Sequence, residues 1–198
     1  MMLTRIEFRM DVDKKGYRCV ATTPKLGRGQ SYLDVPTRHL QPERIVGRGG
    51  GRIAKRLSEY PTLYTEFANV RDDVQLLAFI TEYGSLTSKN EIPKLLEAAE
   101  DMRDWLSREK SPLRSVTDLK ASLIRDRSSG NAVITYSPTT LLDALWLQLA
   151  QALSGGTQFR RCEKCNIRFP IGGKGRRLVA RFCSDQCRIE FNSLKRSR

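Results

Sequence analysis

The sequence predicts an α+β fold in which a small amino-terminal hairpin or sheet and a mostly helical body precede a short cysteine-bearing domain. Residues 1–46 contain segments in which apolar and polar positions alternate, as they do in strands with one buried face. Residues 53–156 place apolar side chains at helical spacing. Four of the five cysteines lie in residues 157–198. We therefore divide the chain into a mixed α/β body, residues 1–156, and a carboxyl-terminal domain, residues 157–198.

The composition indicates a folded chain. Of its 198 residues 39% are hydrophobic, which is enough to build a core and excludes a wholly disordered protein. No run of about 18 apolar residues occurs, so the sequence predicts no transmembrane helix. Arg5, Glu7 and Arg9 interrupt the first apolar positions, unlike the apolar core of a secretory leader. We therefore expect a cytoplasmic protein with no membrane partner.

The amino-terminal segment predicts a hairpin. Residues 3–22 alternate on both sides of a predicted turn at residues 13–16, and the turn ends in glycine. A third short strand is predicted over residues 31–35, before Pro36. Cys19 lies on the second strand, far in sequence from the other cysteines, and we interpret it as a small buried apolar residue.

A glycine-rich segment, residues 47–51, separates these strands from a predicted helix with Ile53, Leu57 and Tyr60 at helical spacing. Exposed amides at a helix start bind anions, but the segment matches neither the dinucleotide-binding nor the P-loop pattern. We therefore interpret it as a flexible connector. Four basic side chains near it could add a secondary contact to a polyanion: Arg48, Arg52, Lys55 and Arg56.

Capping residues predict where the first helices of the body begin and end. Asp72 or Asp73 begins a helix that Gly84 ends. Asn90 begins the next helix, which has Pro93 in its first turn. The apolar stripe of this second helix predicts its buried face: Ile92, Leu95, Leu96, Ala99, Met102, Trp105 and Leu106.

The second half of the body predicts two further helices and one strand. A capping box over residues 115–118 predicts a helix directly after it. The apolar run 132–136 predicts a short strand. Ser137 followed by Pro138 predicts the start of a leucine-rich helix, which Gly155 ends. The leucines of that helix predict a single buried face: Leu141, Leu142, Leu145, Leu149 and Leu153.

The cysteine pattern near the carboxyl end predicts a metal site. Cys162 and Cys165 are followed by Cys183 and Cys187, with the spacing C-x2-C-x17-C-x3-C. Four thiolates in a tetrahedron suit Zn²⁺, and the only histidine, His39, is far away in the sequence. Four sulfur ligands leave no open position for water, so we expect one structural zinc ion and no catalytic metal.

The residues around these cysteines predict a basic four-cysteine zinc-finger domain with a ribbon-like or treble-clef fold. A hairpin is predicted between the two cysteine pairs, with its turn over residues 172–177, and Ser184 can cap a final helix. Cys187 falls in the first turn of that helix, where the positive helix end favours a thiolate. The hairpin arms are predicted from their apolar residues: Ile167, Phe169 and Ile171 on one, Leu178, Val179 and Phe182 on the other.

The positive charge is concentrated in the same domain. The chain has 35 basic and 22 acidic residues, a formal net charge of +13, and residues 157–198 contain twelve of the basic and three of the acidic ones. Such a surplus favours a polyanionic partner, and arginine and asparagine are the side chains that read guanine and adenine edges. The residues predicted to contact nucleic acid are Arg160, Arg161, Lys174, Arg176, Arg177, Arg181, Arg188, Asn192, Lys195 and Arg196.

The motif Phe182-Cys183-Ser184-x-x-Cys187, after Cys162-Glu163-x-Cys165, resembles the FCS-type and related treble-clef zinc fingers. The wider layout, with a leucine-rich helix running into Phe159-Arg160-Arg161-Cys162, resembles the bacterial CGNR zinc-finger proteins, whose amino-terminal domain is called ABATE. The resemblance implies zinc bound by the four cysteines and a stress-linked transcription regulator that binds DNA through the finger. Where the naming motif of that family would stand, this chain has Cys187-Arg188-Ile189-Glu190.

Three functions remain open on these grounds. The first is a DNA-binding transcription regulator whose body senses a signal or forms a homodimer. The second is an RNA-binding or ribosome-associated module, since basic zinc ribbons also serve there. The third is a protein-interaction scaffold in which the zinc finger is a structural cap on the helical body. We do not expect an enzyme, because no nucleophile motif and no carboxylate pair near a metal site can be assigned.

Overall fold

The computed structural model describes residues 3–6, 8–20, 44–107, 119–125, 132–172 and 178–196. It confirms the α+β class. The strands are β1 Leu3–Ile6, β2 Arg9–Asp13, β3 Tyr17–Val20, β4 Arg44–Gly47, β5 Arg52–Arg56, β6 Leu119–Arg125, β7 Ala132–Pro138, β8 Gln158–Arg161 and β9 Arg168–Ile171. The helices are α1 Leu63–Ala68, α2 Asp73–Tyr83, α3 Ile92–Ser107, α4 Leu141–Ser154 and α5 Asp185–Arg196, with a 3-10 helix at Leu57–Glu59.

The first strands form a long antiparallel ribbon. β2 pairs with β5 and β3 pairs with β4, so Asp13 lies opposite Arg52 and Tyr17 opposite Gly47. The predicted turn forms, because the amide of Gly16 donates to the carbonyl of Asp13. The predicted hairpin is wrong, since β2 and β3 each pair with a strand from residues 44–56. The alternation is confirmed on the described strands, where Met10 is buried. The strand predicted over residues 31–35 lies outside the described residues.

The glycine-rich segment lies within this ribbon and is held by a carboxylate. The Oδ2 atom of Asp13 accepts from the amide of Gly49 at 2.7 Å, and Oδ1 accepts from the amide of Gly50 at 2.9 Å. These bonds, led by the one from Gly50, hold the pKa of Asp13 below its ordinary value. A Cβ at Gly50 would lie 2.5 Å from the backbone nitrogen of Lys15, so a larger residue does not fit. The segment is therefore ordered within the ribbon. The amides that could have bound an anion already donate to the carboxylate of Asp13.

We expect Asp13→Ala to lower the melting temperature at neutral pH, because the amides of Gly49 and Gly50 lose their acceptor. The folded-state pKa of Asp13 is below the unfolded value, so its contribution is present above the unfolded pKa and is lost as the pH falls through the folded one. The difference between the two proteins should therefore shrink below a pH of about 4. Thermal melts across pH measure it, with Asp11→Ala, which removes only surface ion pairs, as control. A difference that is constant with pH would contradict this account.

One helix of the body follows both of its predicted boundaries, and a second follows its predicted end. The Oδ1 atom of Asp72 accepts from the amide of Gln75 at 2.8 Å and begins α2. Gly84 ends α2 with a φ of 98°, and a Cβ there would lie 2.6 Å from the carbonyl oxygen of Asp11. Gly155 ends α4, as predicted. The start predicted for α4 is wrong, because Pro138 is the last residue of β7 and Thr140 is the cap.

The structure corrects three other predictions for residues 53–156. The helix predicted after the glycine-rich segment is β5, which pairs with β2. The helix predicted after residues 115–118 is β6, which pairs with β7 in a three-stranded sheet ordered β1-β7-β6. Asn90 does not cap α3, because its Oδ1 atom accepts from the amides of Leu86 and Thr87, which precede it. The strand predicted over residues 132–136 is confirmed as part of β7.

The body encloses one hydrophobic core between the ribbon and α1 to α4. The predicted stripe of α3 is buried at Leu95, Ala99 and Met102, and the leucines of α4 are buried at Leu141 and Leu145. Phe159 of β8 packs against this core from the carboxyl-terminal side. None of the described helices is long and apolar enough to cross a membrane.

Candidate metal centre

The four predicted cysteines come together at one point. Their sulfur atoms all lie within 4.8 Å of one another, and Cys183 lies 3.5 Å from both Cys165 and Cys187. Zn–S bonds of about 2.3 Å in a tetrahedron place sulfur atoms about 3.8 Å apart. The observed spacing is therefore that of a cluster which can bind one metal ion.

Two short segments position the sulfur atoms. Cys162 follows β8 directly, and the turn to Cys165 is closed by the amide of Asn166, which donates to the carbonyl of Cys162 at 2.9 Å. Asn166 has a φ of 62°, the left-handed conformation that asparagine tolerates. Of the other two, Cys183 lies just before α5 and Cys187 lies in its first turn. Ser184 caps this helix as predicted, because its Oγ atom accepts from the amide of Cys187 at 3.2 Å.

The backbone around Cys162 favours its thiolate. Burial alone would raise the pKa of this thiol, but the amides of Cys165, Cys183 and Lys164 point at the sulfur and lower the pKa to about 6. Burial raises the pKa of Cys183 and Cys165 in the absence of a cation. The backbone amides therefore favour a thiolate at Cys162, and a divalent cation would supply the charge that the other sulfur atoms need.

The cluster has its own small core, separate from that of the body. Cys162, Phe169 and Ile171 are buried there, and Phe182 of the α5 side packs against them. The predicted hairpin is wrong in its pairing, because β9 pairs with β8. Leu178 and Val179, predicted for the second hairpin arm, are exposed. Residues 173–177 lie outside the described part of the chain.

The predicted nucleic-acid residues lie on several sides of the metal centre. Arg160 and Arg161 are exposed on β8, and Arg160 donates to the carbonyl of Ala180 at 3.3 Å, next to Arg181. Asn192 is exposed on α5. Lys195 and Arg196 belong to the last turn of α5, and Lys174, Arg176 and Arg177 fall outside the described residues.

The acidic residues of this domain are all engaged. Glu163 accepts from Arg181 through both carboxylate oxygens. Lys164 lies 3.2 Å from Glu190. Arg188 lies 3.0 Å from Asp185, one turn away on α5. Because residues 157–198 contain twelve basic residues, the three acids leave a surplus of nine positive charges in this segment.

Sequence reasoning missed how the metal-binding segment is anchored to the body. The ring of Phe159 lies edge-on to Tyr64 of α1, with ring centres 6.2 Å apart. Arg168 of β9 donates to the carbonyl of Leu106 at the end of α3, at 3.4 Å. A cleft of about 1000 Å³ separates α1 and α4 from β9 beside these contacts. The only sequence signal for this anchor is that Phe159 is aromatic and lies outside the cysteine pairs.

No family model, curated protein or solved structure matches this chain. The resemblance to the CGNR and FCS-type zinc fingers therefore stays a prediction. Function is inferred instead from the cysteine cluster and from the charge around it.

Proposed function

We propose that the protein binds duplex DNA through residues 157–198, which one structural zinc ion holds in shape, and that it acts as a transcription regulator. The observation that carries the proposal is the charge surplus around a built four-sulfur site. When basic side chains bind a polyanion, they release counterions from the phosphates, which favours binding. The nine surplus positive charges of this segment can make such phosphate contacts. The body, residues 1–156, is then the part that senses a signal or forms a homodimer.

The donor set supports zinc and a structural role. Four thiolates are soft ligands, and Zn²⁺ binds them tetrahedrally without a geometric preference of its own. All four positions around the ion would be filled by Cys162, Cys165, Cys183 and Cys187. A filled shell has no place for water or substrate, so the ion would act on folding and not on a reaction. This is the reason that we propose a binding protein and no enzyme.

The surface that remains outside supports DNA as the partner. Phe159 and Arg168 hold one side of the domain against the body. One side of α5 packs on the cysteine cluster, where the ring centres of Phe182 and Phe191 are 5.2 Å apart. The outward face of α5 is exposed, and a single exposed helix is the element that a major groove admits.

We expect the double variant Arg160→Glu, Arg161→Glu to bind duplex DNA about tenfold or more weakly than the wild type, because two phosphate contacts become repulsions. Fluorescence anisotropy of a labelled duplex with the zinc-loaded full chain measures this. The matched control reverses two exposed arginines of the body, Arg71 and Arg125, and should change the affinity little. Equal losses in the two double variants would mean that the charge effect is general and not located at the zinc-binding domain.

The contact between Phe159 and the body favours a second candidate function, a structural cap within a protein-interaction scaffold. The same anisotropy experiment separates the two. A scaffold predicts no measurable duplex binding by the wild type. Competition by structured RNA at lower concentration than duplex DNA would instead favour the RNA-binding module.

A further inference from the structure

The outward face of α5 combines three kinds of side chain that together match base edges. Four residues of α5 fall within an arc of about 100° around the helix axis: Asp185, Arg188, Ile189 and Asn192. The opposite side carries Cys187 and the metal centre. This face is therefore directed away from the packed side of the helix.

One exposed apolar side chain lies on this face. Ile189 is 59% exposed and is not among the residues that pack on the core of the cluster. Of the described side chains it is the one apolar group on this arc. A protein-binding patch needs contiguous apolar area, which a single isoleucine between polar groups does not supply.

The polar neighbours of Ile189 are available for hydrogen bonds. Asn192 is exposed, which leaves its side-chain amide accessible to a base. Arg188 gives one bond to Asp185, which restrains the guanidinium, and retains further donors for a planar acceptor. Arginine pairs with guanine, asparagine with adenine, and apolar side chains contact the thymine methyl group in the major groove.

We propose that Arg188, Ile189 and Asn192 are base-reading residues and that Ile189 recognises a thymine methyl group between the bases contacted by the other two. Positions 188 and 192 are about 6 Å apart along the helix axis, which is close to two base-pair steps of about 3.4 Å. Ile189 lies between these two positions in the helix, so we place the thymine between the two contacted bases. The inference rests on the proposed function and adds to it that the DNA is read through its major groove.

The test uses the zinc-loaded full chain and a duplex selected from a random pool. The selected site is expected to contain a thymine flanked by positions that prefer guanine and adenine. Replacing that thymine by deoxyuridine removes only the methyl group, and we expect the wild type to lose about fourfold in affinity, the value of burying one methyl group. Ile189→Ala should bind the two duplexes equally.

Two controls keep the outcomes distinct. Val179→Ala changes another exposed aliphatic residue of the same domain, 73% exposed, and should retain the preference for thymine over deoxyuridine. Asn192→Ala should relax the preference for adenine only. Wild-type binding that is the same with thymine and deoxyuridine at every position overturns the base-reading role and leaves the proposed function standing. Absence of any duplex binding overturns both.

Discussion

Cys183→Ser is expected to yield protein without bound metal, in which β8, β9 and α5 have lost their ordered structure while the body remains folded. Cys183 is the central ligand of the cluster, 3.5 Å from two other sulfur atoms, and a neutral hydroxyl cannot replace a thiolate. The small core around Phe169 and Ile171 is too limited to fold by itself. Structural zinc contributes about 10–16 kcal/mol of apparent binding free energy at such sites, so its loss exceeds any other contribution there.

The body is expected to survive this substitution because its hydrophobic core is separate from that of the cluster. Metal content by mass spectrometry and amide hydrogen exchange of the two regions measure the outcome. Cys19→Ser is the matched control, since this half-buried cysteine of β3 lies outside the cluster. It should retain one zinc ion per chain. Zinc bound equally by the wild type and Cys183→Ser, or protection of β8 and β9 that is unchanged, would contradict the structural role of the metal.

Duplex DNA binding is expected to depend steeply on salt. A protein that contacts six to ten phosphates loses roughly 10³–10⁵-fold in affinity between about 50 and 200 mM salt, and the surplus of nine charges lies in this range. Titrations of one labelled duplex at several salt concentrations give the slope of log affinity against log salt. The Arg160→Glu, Arg161→Glu variant should show a slope smaller by about two contacts. A flat response of the wild type would exclude phosphate contacts as the source of affinity.

The four-cysteine cluster could be predicted because its signal is local. Each pair, Cys162 with Cys165 and Cys183 with Cys187, lies within one turn of the chain, where spacing determines which sulfur atoms converge. Helix ends were predictable for the same reason at Asp72 and Gly84, since a cap bonds to residues within the next or previous turn. The surplus of positive charge in residues 157–198 follows directly from counting the basic and acidic residues of the sequence.

Strand pairing is where the predictions failed, and the cause is physical. Leu119 and Leu123 have the spacing of a helix face, but they belong to β6, whose partner β7 follows in the chain only after residues 126–131. The turn at Asp13 formed as its residues predict, yet β2 took β5 as its partner. The pairing of β2 with β5 depends on contacts between distant segments, and a short apolar run such as that of β6 fits a helix or a strand equally well.

The sequence by itself determined the four-cysteine cluster, the surplus of positive charge and the two ends of α2, because all of these depend on residues close together in the chain. Only the tertiary structure decided that Asp13 occupies the amides of Gly49 and Gly50, and that Phe159 fastens the metal centre to α1. It also decided which side of α5 is left exposed. These contacts join segments far apart in the chain, and they form only where the whole core brings the segments together.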